Sequence, residues 1–273
     1  MEKHYTRACN FYYGSISKEK IKKKLSLPLN GNKLISFDSI EILTRKSKRI
    51  ININKINNLQ KKLKKKVILD LKNITKKKIF SKLNLNNTPL LMGILNVTPD
   101  SFSDGGKFLK NSAANKQIRK LIKDKVDIID IGGESTRPGS KEINYKKEWK
   151  RVKSKLNYLS KKNCFISLDT RKSSIIKKSL IYKVDLINDI SGLEHDKDSL
   201  KIVKKYKIPF VLHHMRGTPM TMQKNPKYNN VLLDIYDYFD KKLKLIRNNN
   251  IKHNNIILDP GIGFGKNLKH NIT

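Results

Sequence analysis

Cysteine is nearly absent from this sequence, which has only Cys9 and Cys164 in 273 residues. Two thiols provide neither a disulfide framework nor a cysteine-based metal cluster, and their scarcity favours a reducing cytoplasm as the protein's location. Long apolar runs are also missing. No stretch approaches the roughly 18 consecutive apolar residues of a membrane span, and the N-terminus lacks the apolar segment of a signal peptide. The sequence therefore predicts a soluble protein without a membrane partner.

Acidic residues are scarce, with 23 Asp and Glu against 60 Lys and Arg and a formal net charge of +37. Such a surplus can indicate binding to nucleic acid or to an anionic membrane. Here the lysines are spread over candidate helices, strands and loops alike, together with Asn and Ile, which is typical of a compositional bias. We therefore expect no nucleic-acid partner. A basic nucleic-acid-binding protein stays an alternative that rests on net charge alone.

The first 77 residues form a basic N-terminal extension whose role the sequence does not reveal. Apolar patterning predicts a strand at residues 34–43, a helix at 56–66 and a short strand at 67–71. Residues 78–87 resemble a short hairpin or cap that leads into the next domain. We predict that this domain covers residues 78–273.

From residue 90 onwards the sequence repeats a unit of apolar strand, polar loop and amphipathic helix. We predict strands at residues 90–97, 126–132, 165–170, 185–191, 209–215 and 256–261. Between the strands, apolar residues recur at helical spacing, as in Trp149, Val152, Leu156 and Leu159, and these stripes indicate core-facing helices. The alternation predicts right-handed βαβ units and a parallel sheet, either doubly wound or closed into a barrel.

The polar residues at the strand ends distinguish these two folds. They are Asn96, residues 132–135, Asp169, Asn188, His214 and Asp259. Barrel active sites are assembled from several loops at the C-terminal ends of the strands, whereas a doubly wound sheet gathers its ligand groups at one point. The sequence therefore predicts an α/β TIM barrel with a site at that end.

Carboxyl and amide groups at these ends indicate a particular kind of ligand. Asp169, Asn188 and Asp259 each follow a buried strand, where a polar group is costly unless it has a partner. Together they suit a ring with several N–H donors on one edge, such as a pterin or a guanine. The loop at 132–139 adds glycines, hydroxyls and Arg137, which is suited to binding a carboxylate.

The glycine-rich stretch at residues 261–267 suggests a nucleotide-binding loop, but its details argue against one. A P-loop would need Gly at Pro260 and Ser or Thr at Asn267, and a dinucleotide fingerprint would need Gly or Ala at Lys266. We interpret the stretch as a tight turn that presents Asp259.

His213 and His214 end an apolar strand, where structural histidines are common, and neither has a metal-ligand spacing. No nucleophile with an adjacent base is recognisable in the sequence.

Six segments together resemble dihydropteroate synthase, and the resemblance extends over about residues 78–273. The segments are residues 96–106, 132–139, 167–170, 187–190, 214–223 and 258–271. The resemblance implies a TIM barrel that condenses (7,8-dihydropterin-6-yl)methyl diphosphate with 4-aminobenzoate. The products would be 7,8-dihydropteroate, an intermediate of folate biosynthesis, and diphosphate.

The matching motifs also imply roles for individual residues. Asn96 would bind Mg²⁺ on the diphosphate, and the pterin would be held by Thr136, Asp169, Asn188 and Asp259. Loss of diphosphate leaves positive charge on the pterin methylene, so the aromatic amine can attack without a strong base.

The remaining roles concern the reacting region and the aminobenzoate. The loop at residues 98–106 would close over the site with Phe102 and Asp104 facing the reaction. Arg137, Pro138 and Phe264 would form the aminobenzoate side, and Asp104 and Arg137 would be the catalytic residues. Dimers are usual in the family, which leaves a homodimer open.

The sequence departs from the family in having only six strand candidates, where a whole barrel has eight. The family's Ser-Arg-Lys and Arg-x-His segments after the last two strands have no match. We therefore expect a C-terminally truncated barrel of about six βα units, open because its first and sixth strands do not pair. An inactive remnant and a pterin-binding module of a corrinoid-dependent methyltransferase stay as alternatives.

Overall fold

The computed structural model describes residues 2–83, 85, 89–98 and 109–273, with the side chains of 109–112 excepted. The chain divides into two compact units. One consists of Met1–Ile79 and Leu83–Asn86, and the other of Phe80–Lys82 and Asn87–Thr273.

The first unit is a four-stranded antiparallel sheet with two α-helices. Its elements are β1 (Tyr5–Tyr13), α1 (Gly14–Lys22), β2 (Leu27–Leu29), β3 (Asn32–Leu43), β4 (Lys48–Asn52), a 3₁₀ helix (Ile53–Asn58) and α2 (Lys61–Thr75). Strand β3 pairs with β1, β2 and β4 in turn. The buried side chains of Phe37, Ile40 and Ile42 on β3 pack with Val67 and Leu71 of α2.

Strand β3 confirms the strand expected at residues 34–43, but the strand expected at 67–71 is wrong, because these residues belong to α2. Val67 and Leu71 are buried while Ile68 and Leu69, which lie between them, are exposed. Burial four residues apart is the period of a helix, and a short apolar run does not distinguish the two structures. The helix expected at 56–66 is a 3₁₀ turn followed by the start of α2.

The second unit alternates strands and helices. Its strands are β5 (Met92–Asn96), β6 (Ile128–Gly132), β7 (Phe165–Asp169), β8 (Leu186–Asp189), β9 (Phe210–His213) and β10 (Ile256–Asp259). Its α-helices are α3 (Leu109–Lys123), α4 (Tyr145–Leu159), α5 (Ser173–Ser179), α6 (Ser199–Tyr206), α7 (Val231–Asn248) and α8 (Leu268–Ile272). Its described residues also include the 3₁₀ helices Leu180–Tyr182 and His253–Asn255.

The six strands are parallel and lie side by side in chain order from β5 to β10. In a doubly wound sheet the order of the strands reverses at one point. In a TIM barrel each strand lies beside the next strand of the chain, as it does here. Strands β5 and β10 are the two ends of the sheet and do not pair within the described part of the chain. The prediction of an open, six-stranded part of a TIM barrel is confirmed.

The core lies between the sheet and the helices. Ile129 and Ile131 of β6 and Leu168 of β7 are fully covered, as are Val152 and Leu156 of α4. Each such side chain contributes about 1.5–3 kcal/mol by leaving water. The expected apolar stripe of α4 is therefore confirmed as core. Among the described residues, no helix is long and apolar enough to cross a membrane.

Candidate active site

Four polar or small residues form one continuous row across the ends of β5 to β8. Asn96 pairs with Gly132, Gly132 with Asp169, and Asp169 with Asn188. Because all four strands are parallel, these residues lie at the C-terminal end of the sheet. The structure thus places three of the predicted site residues side by side.

Gly132 keeps the space between two of these side chains open. A Cβ atom on Gly132 would lie 3.2 Å from Asp169 Oδ2 and 3.4 Å from Asn96 Oδ1. The two oxygens therefore converge on the same place above β6. Any larger residue at position 132 would partly fill the space that they share.

Asp169 is buried, and burial raises the pKa of its carboxyl group well above the usual range. The negative charges of Asp130, Glu148 and Asp189 nearby raise the pKa further. A neutral carboxyl group can both donate and accept a hydrogen bond. The row therefore includes a group that can meet either a donor or an acceptor of a ligand.

Asn188 is held by a carboxyl group that the sequence did not single out. Asn188 Nδ2 donates to Asp130 Oδ2 over a distance of 3.1 Å. Asp130 lies two residues before Gly132 and so projects from the same face of β6. An Asp inside an apolar strand is the signal that could have identified it. This hydrogen bond leaves Asn188 Oδ1 to accept from a ligand.

Asp259 ends β10, where it is paired in register with His213 of β9. Its Oδ2 accepts from His213 Nδ1 at 3.1 Å and its Oδ1 accepts from Gly261 N at 2.8 Å. Burial alone would raise the pKa of Asp259, but these two hydrogen bonds lower it below the usual range. Asp259 is therefore an ionised acceptor at the same end of the sheet.

The turn after Asp259 is organised by Lys266, whose buried ammonium group donates to three acceptors. These are the backbone oxygens of Gly261 and Phe264, at 2.9 and 3.0 Å, and His214 Nδ1 at 3.1 Å. The Phe264 ring meets the His213 ring edge-on, with 4.8 Å between the centroids. The prediction that 261–267 is not a phosphate loop agrees with this arrangement, because the lysine faces inwards.

The loop after β6 carries Thr136, which is half-buried, and Arg137 and Pro138, which are exposed. Gly139 N donates to Pro219 O at 2.9 Å, so this loop reaches the loop that follows β9. Within the described residues, the Arg137 side chain forms no hydrogen bond or ion pair. An exposed guanidinium group of this kind can bind an anionic ligand through two parallel hydrogen bonds.

A buried network of charges lies beneath this loop. Glu134 accepts from Arg171 Nη2 at 2.8 Å and from Lys172 Nζ at 2.9 Å, and Glu148 accepts from Lys172 Nζ at 2.8 Å. Burial would raise the pKa of Glu134, but its hydrogen-bond donors lower it. These four residues, which we call the buried charge network, join the loops after β6 and β7 to the first turn of α4. Of the four, only Glu134 is among the strand-end polar residues expected from the sequence, at 132–135.

Two predicted site residues, Phe102 and Asp104, lie outside the described residues, as do the other positions of the first loop from 99 to 108.

The described residues suit a magnesium ion that is bound mainly by substrate and water and by few protein oxygens. In the described part of the chain, no group of three or more His, Cys, Asp or Glu residues could hold a metal. Mg²⁺, however, is often held by one or two protein oxygens together with water and substrate phosphates. The amide oxygen of Asn96, which faces the space over Gly132, fits that pattern.

Residues 92–273 match the family described as "Pterin binding enzyme", and the consecutively wound parallel sheet agrees with this class of protein. Within this class the chain belongs to the dihydropteroate synthase family. It is 40% identical to dihydropteroate synthase of Haemophilus influenzae over 197 residues. This matched region covers 70% of this chain and 71% of that protein. It is 41% identical over 186 residues to the Escherichia coli synthase, covering 68% of this chain and 66% of the relative.

Solved structures lead to the same family. The Yersinia pestis synthase, solved with a sulfonamide drug, is 38% identical with a TM-score of 0.66, covering 71% of each chain. The Xanthomonas albilineans synthase with 4-aminobenzoic acid is 32% identical with a TM-score of 0.63, covering 70% of this chain and 67% of that one. The same enzyme was solved with 7,8-dihydropteroate, at 30% identity and a TM-score of 0.61, covering 70% and 66%. The chain thus spans about two thirds of the length of its relatives.

Proposed function

We propose that this chain carries the pterin site of a dihydropteroate synthase and takes part in forming 7,8-dihydropteroate from a dihydropterin diphosphate and 4-aminobenzoate. The observation that carries the proposal is the row of Asn96, Asp169 and Asn188 at the strand ends, with Asp259 at the same end. The ligands of the Xanthomonas albilineans enzyme support the choice of substrates. This reaction is a transferase step of folate biosynthesis.

The pterin would be recognised by its ring edge. Asp259 is an ionised acceptor and Asn188 Oδ1 is an acceptor held in place by Asp130, so both suit ring N–H donors. Asp169, whose pKa is raised, can donate to a ring nitrogen or accept from an N–H group. We propose Thr136 as a further pterin contact, because it lies half-buried in the loop after β6.

The aminobenzoate would lie on the side of Arg137. The exposed guanidinium group suits a carboxylate, which it can bind through two parallel hydrogen bonds. Pro138 and Phe264 would provide apolar surface for the aromatic ring. We assign Asp104 and Phe102 to the reacting region on the resemblance to the family, and Asp104 and Arg137 as the catalytic residues.

In the proposed reaction, the bond between the pterin methylene carbon and the diphosphate oxygen breaks. The amine nitrogen of 4-aminobenzoate then bonds to this carbon and loses a proton. Positive charge develops on the pterin side, and the ionised Asp259 stabilises it. This chemistry needs no nucleophile with an adjacent base, which agrees with the sequence.

We propose Asn96 as the protein ligand of Mg²⁺. When bound with the substrate, this ion would neutralise charge on the departing diphosphate. The amide oxygen of Asn96 would help to hold the ion, and Gly132 would leave room for it.

We further propose that residues 78–273 are the pterin-binding domain and that residues 1–77 are not needed for pterin binding. The family match, which begins at residue 92, supports this division. We propose a location in the cytoplasm from the scarcity of cysteine, and a homodimer from the family alone. The relatives do not favour the alternative of a corrinoid-dependent methyltransferase module.

The test is an assay of the purified chain with dihydropterin diphosphate, Mg²⁺ and 4-aminobenzoate, in which dihydropteroate is measured by chromatography. Binding of each substrate is measured in parallel by calorimetry. We expect pterin binding to be lost in Asp169→Ala and Asp259→Ala but kept in Asp124→Ala, an exposed control on a loop. Tight pterin binding by both site variants would show that the assigned roles are wrong.

A further inference from the structure

The geometry points to His213 as a positioning residue of the pterin site, which fixes the Asp259 carboxylate so that both of its oxygens face the ligand. The inference rests on the proposed function, since it assigns a partner to the proposed pterin acceptor. From its place at the end of an apolar strand alone, His213 is predicted to be a structural histidine.

The first observation is the contact itself. His213 and Asp259 are register partners at the ends of β9 and β10, and His213 Nδ1 lies 3.1 Å from Asp259 Oδ2. Gly261 N donates to the other oxygen at 2.8 Å. Each carboxylate oxygen therefore has one internal hydrogen bond and keeps acceptor capacity for a ligand. A ring edge with two N–H groups side by side matches this fork.

The second observation fixes which nitrogen of His213 carries the proton. His213 Nε2 is buried, and the structure gives it no hydrogen-bond partner among the described residues. A proton on this nitrogen would leave a buried donor without an acceptor, which costs more than leaving a ring lone pair without a donor. We therefore place the proton on Nδ1, where it is donated to Asp259.

The third observation is the packing that prevents the ring from turning. The Phe264 ring lies edge-on to the imidazole with 4.8 Å between centroids, and Tyr238 donates to His213 O at 3.2 Å. A Cβ on Gly261 would lie 2.8 Å from His213 Nε2, so the backbone closely covers that side of the ring. His213 thus holds Asp259 from a fixed position.

The charged and titratable groups around Asp259 define how the site should respond to pH. They are His213 on β9 and Lys266 in the following turn, both of which favour the ionised carboxylate, and His214, which contacts Lys266. Burial acts in the opposite direction and favours the neutral acid. Removal of His213 should therefore let the carboxyl group take up a proton under mildly acidic conditions.

The experiment measures binding of 6-hydroxymethylpterin to the full chain by calorimetry between pH 7.5 and 5. We compare the wild type with His213→Leu, which removes the donor, and with His213→Asn, whose amide nitrogen can occupy the place of Nδ1. His253→Leu, on the exposed surface, is the control for loss of a histidine.

For the wild type and His253→Leu we expect dissociation constants that change less than twofold over this range. For His213→Leu we expect binding to weaken roughly threefold or more on acidification, because the ionised fraction of Asp259 should fall. A rise of one unit in the pKa of Asp259 lowers the ratio of its ionised to its neutral form tenfold. His213→Asn should restore most of the acid tolerance. A purely structural role would weaken binding equally at every pH.

Two results would contradict the inference, and they differ in scope. If the wild type binds the pterin and His213→Leu keeps the same pH profile, His213 does not position Asp259 and the proposed function stands. If the wild type binds no pterin at any pH, both the inference and the proposed function are overturned. Urea unfolding of each variant shows whether its fold is retained. Asp259→Asn cannot ionise at position 259, so the double variant His213→Leu/Asp259→Asn should not show the weaker pterin binding at acidic pH that we expect for His213→Leu.

Discussion

Asn188 of β8 donates a hydrogen bond to Asp130 of β6, although β7 lies between their strands in the sheet. The two side chains meet over β7, on the face from which Asp169 also approaches. The amide of Asn188 is therefore oriented by a strand that is not its neighbour. The pterin contact proposed for Asn188 should depend on Asp130 for this reason.

We expect Asp130→Ala to weaken binding of 6-hydroxymethylpterin about tenfold, which corresponds to the loss of one buried hydrogen bond. Asp130→Asn should bind within about twofold of the wild type, since its amide oxygen can still accept from Asn188. Calorimetry at pH 7.5 measures both, with Asp124→Ala as control. Unchanged binding by Asp130→Ala would show that Asn188 needs no such support.

The buried charge network predicts a large effect on stability. Lys172→Met removes the cation that contacts both Glu134 and Glu148, and should lower the free energy of unfolding by about 3 kcal/mol. Lys177→Met, an exposed change on α5, which begins directly after Lys172, should alter it by less than about 0.5 kcal/mol. Urea unfolding measures both, and equal values for the two variants would contradict the prediction.

Two glycines in the turn after β10 offer a matched comparison. Gly261 and Gly263 both have positive φ angles, of 69° and 81°. A Cβ on Gly261 would lie 2.1 Å from His214 O, whereas one on Gly263 would have no neighbour within 4 Å. Gly263→Ala should therefore cost about 1–2 kcal/mol of backbone strain, and Gly261→Ala clearly more. Thermal and urea unfolding would reveal the difference, and similar losses would argue against the close approach.

His214 should make the protein sensitive to acid. Burial, with the positive charges of Lys266 and Arg216 nearby, lowers the pKa of His214 to about 4. The unfolded chain, with a pKa near 6.5, takes up a proton first as the pH falls. His214 should therefore lower stability by about 2 kcal/mol between pH 7 and 5. Urea unfolding at both values should show a smaller loss in His214→Gln, and an equal loss would contradict this assignment.

The parallel sheet could be predicted because its strands are short apolar runs, of which the central four, β6 to β9, are almost entirely buried. All six expected strands are present, although they are shorter than expected. The run at 185–191, for example, is a strand only at Leu186–Asp189. Apolar character continues into the loop, where Ile190 is buried without being part of the ladder. The first unit was harder to predict, since β1 alternates weakly and α2 contains an apolar run of strand length.

The site could be predicted where a residue's position in a strand is itself the signal, as for Asp169, Asn188 and Asp259. It could not be predicted where the role depends on a partner from another element. The roles proposed for Asp130 and His213 depend on contacts to β8 and β10, and those contacts depend on sheet register and side-chain direction. The same holds for the buried charge network, whose members come from two loops and a helix.

The buried charge network also has a consequence for temperature. The hydration of charged groups becomes less favourable as water is heated, so the cost of keeping Glu134, Glu148, Arg171 and Lys172 away from solvent falls on warming. Exposed ion pairs such as Lys201–Asp198 have little such cost to lose. The loops after β6 and β7 should therefore keep their arrangement on heating for longer than the surface around them.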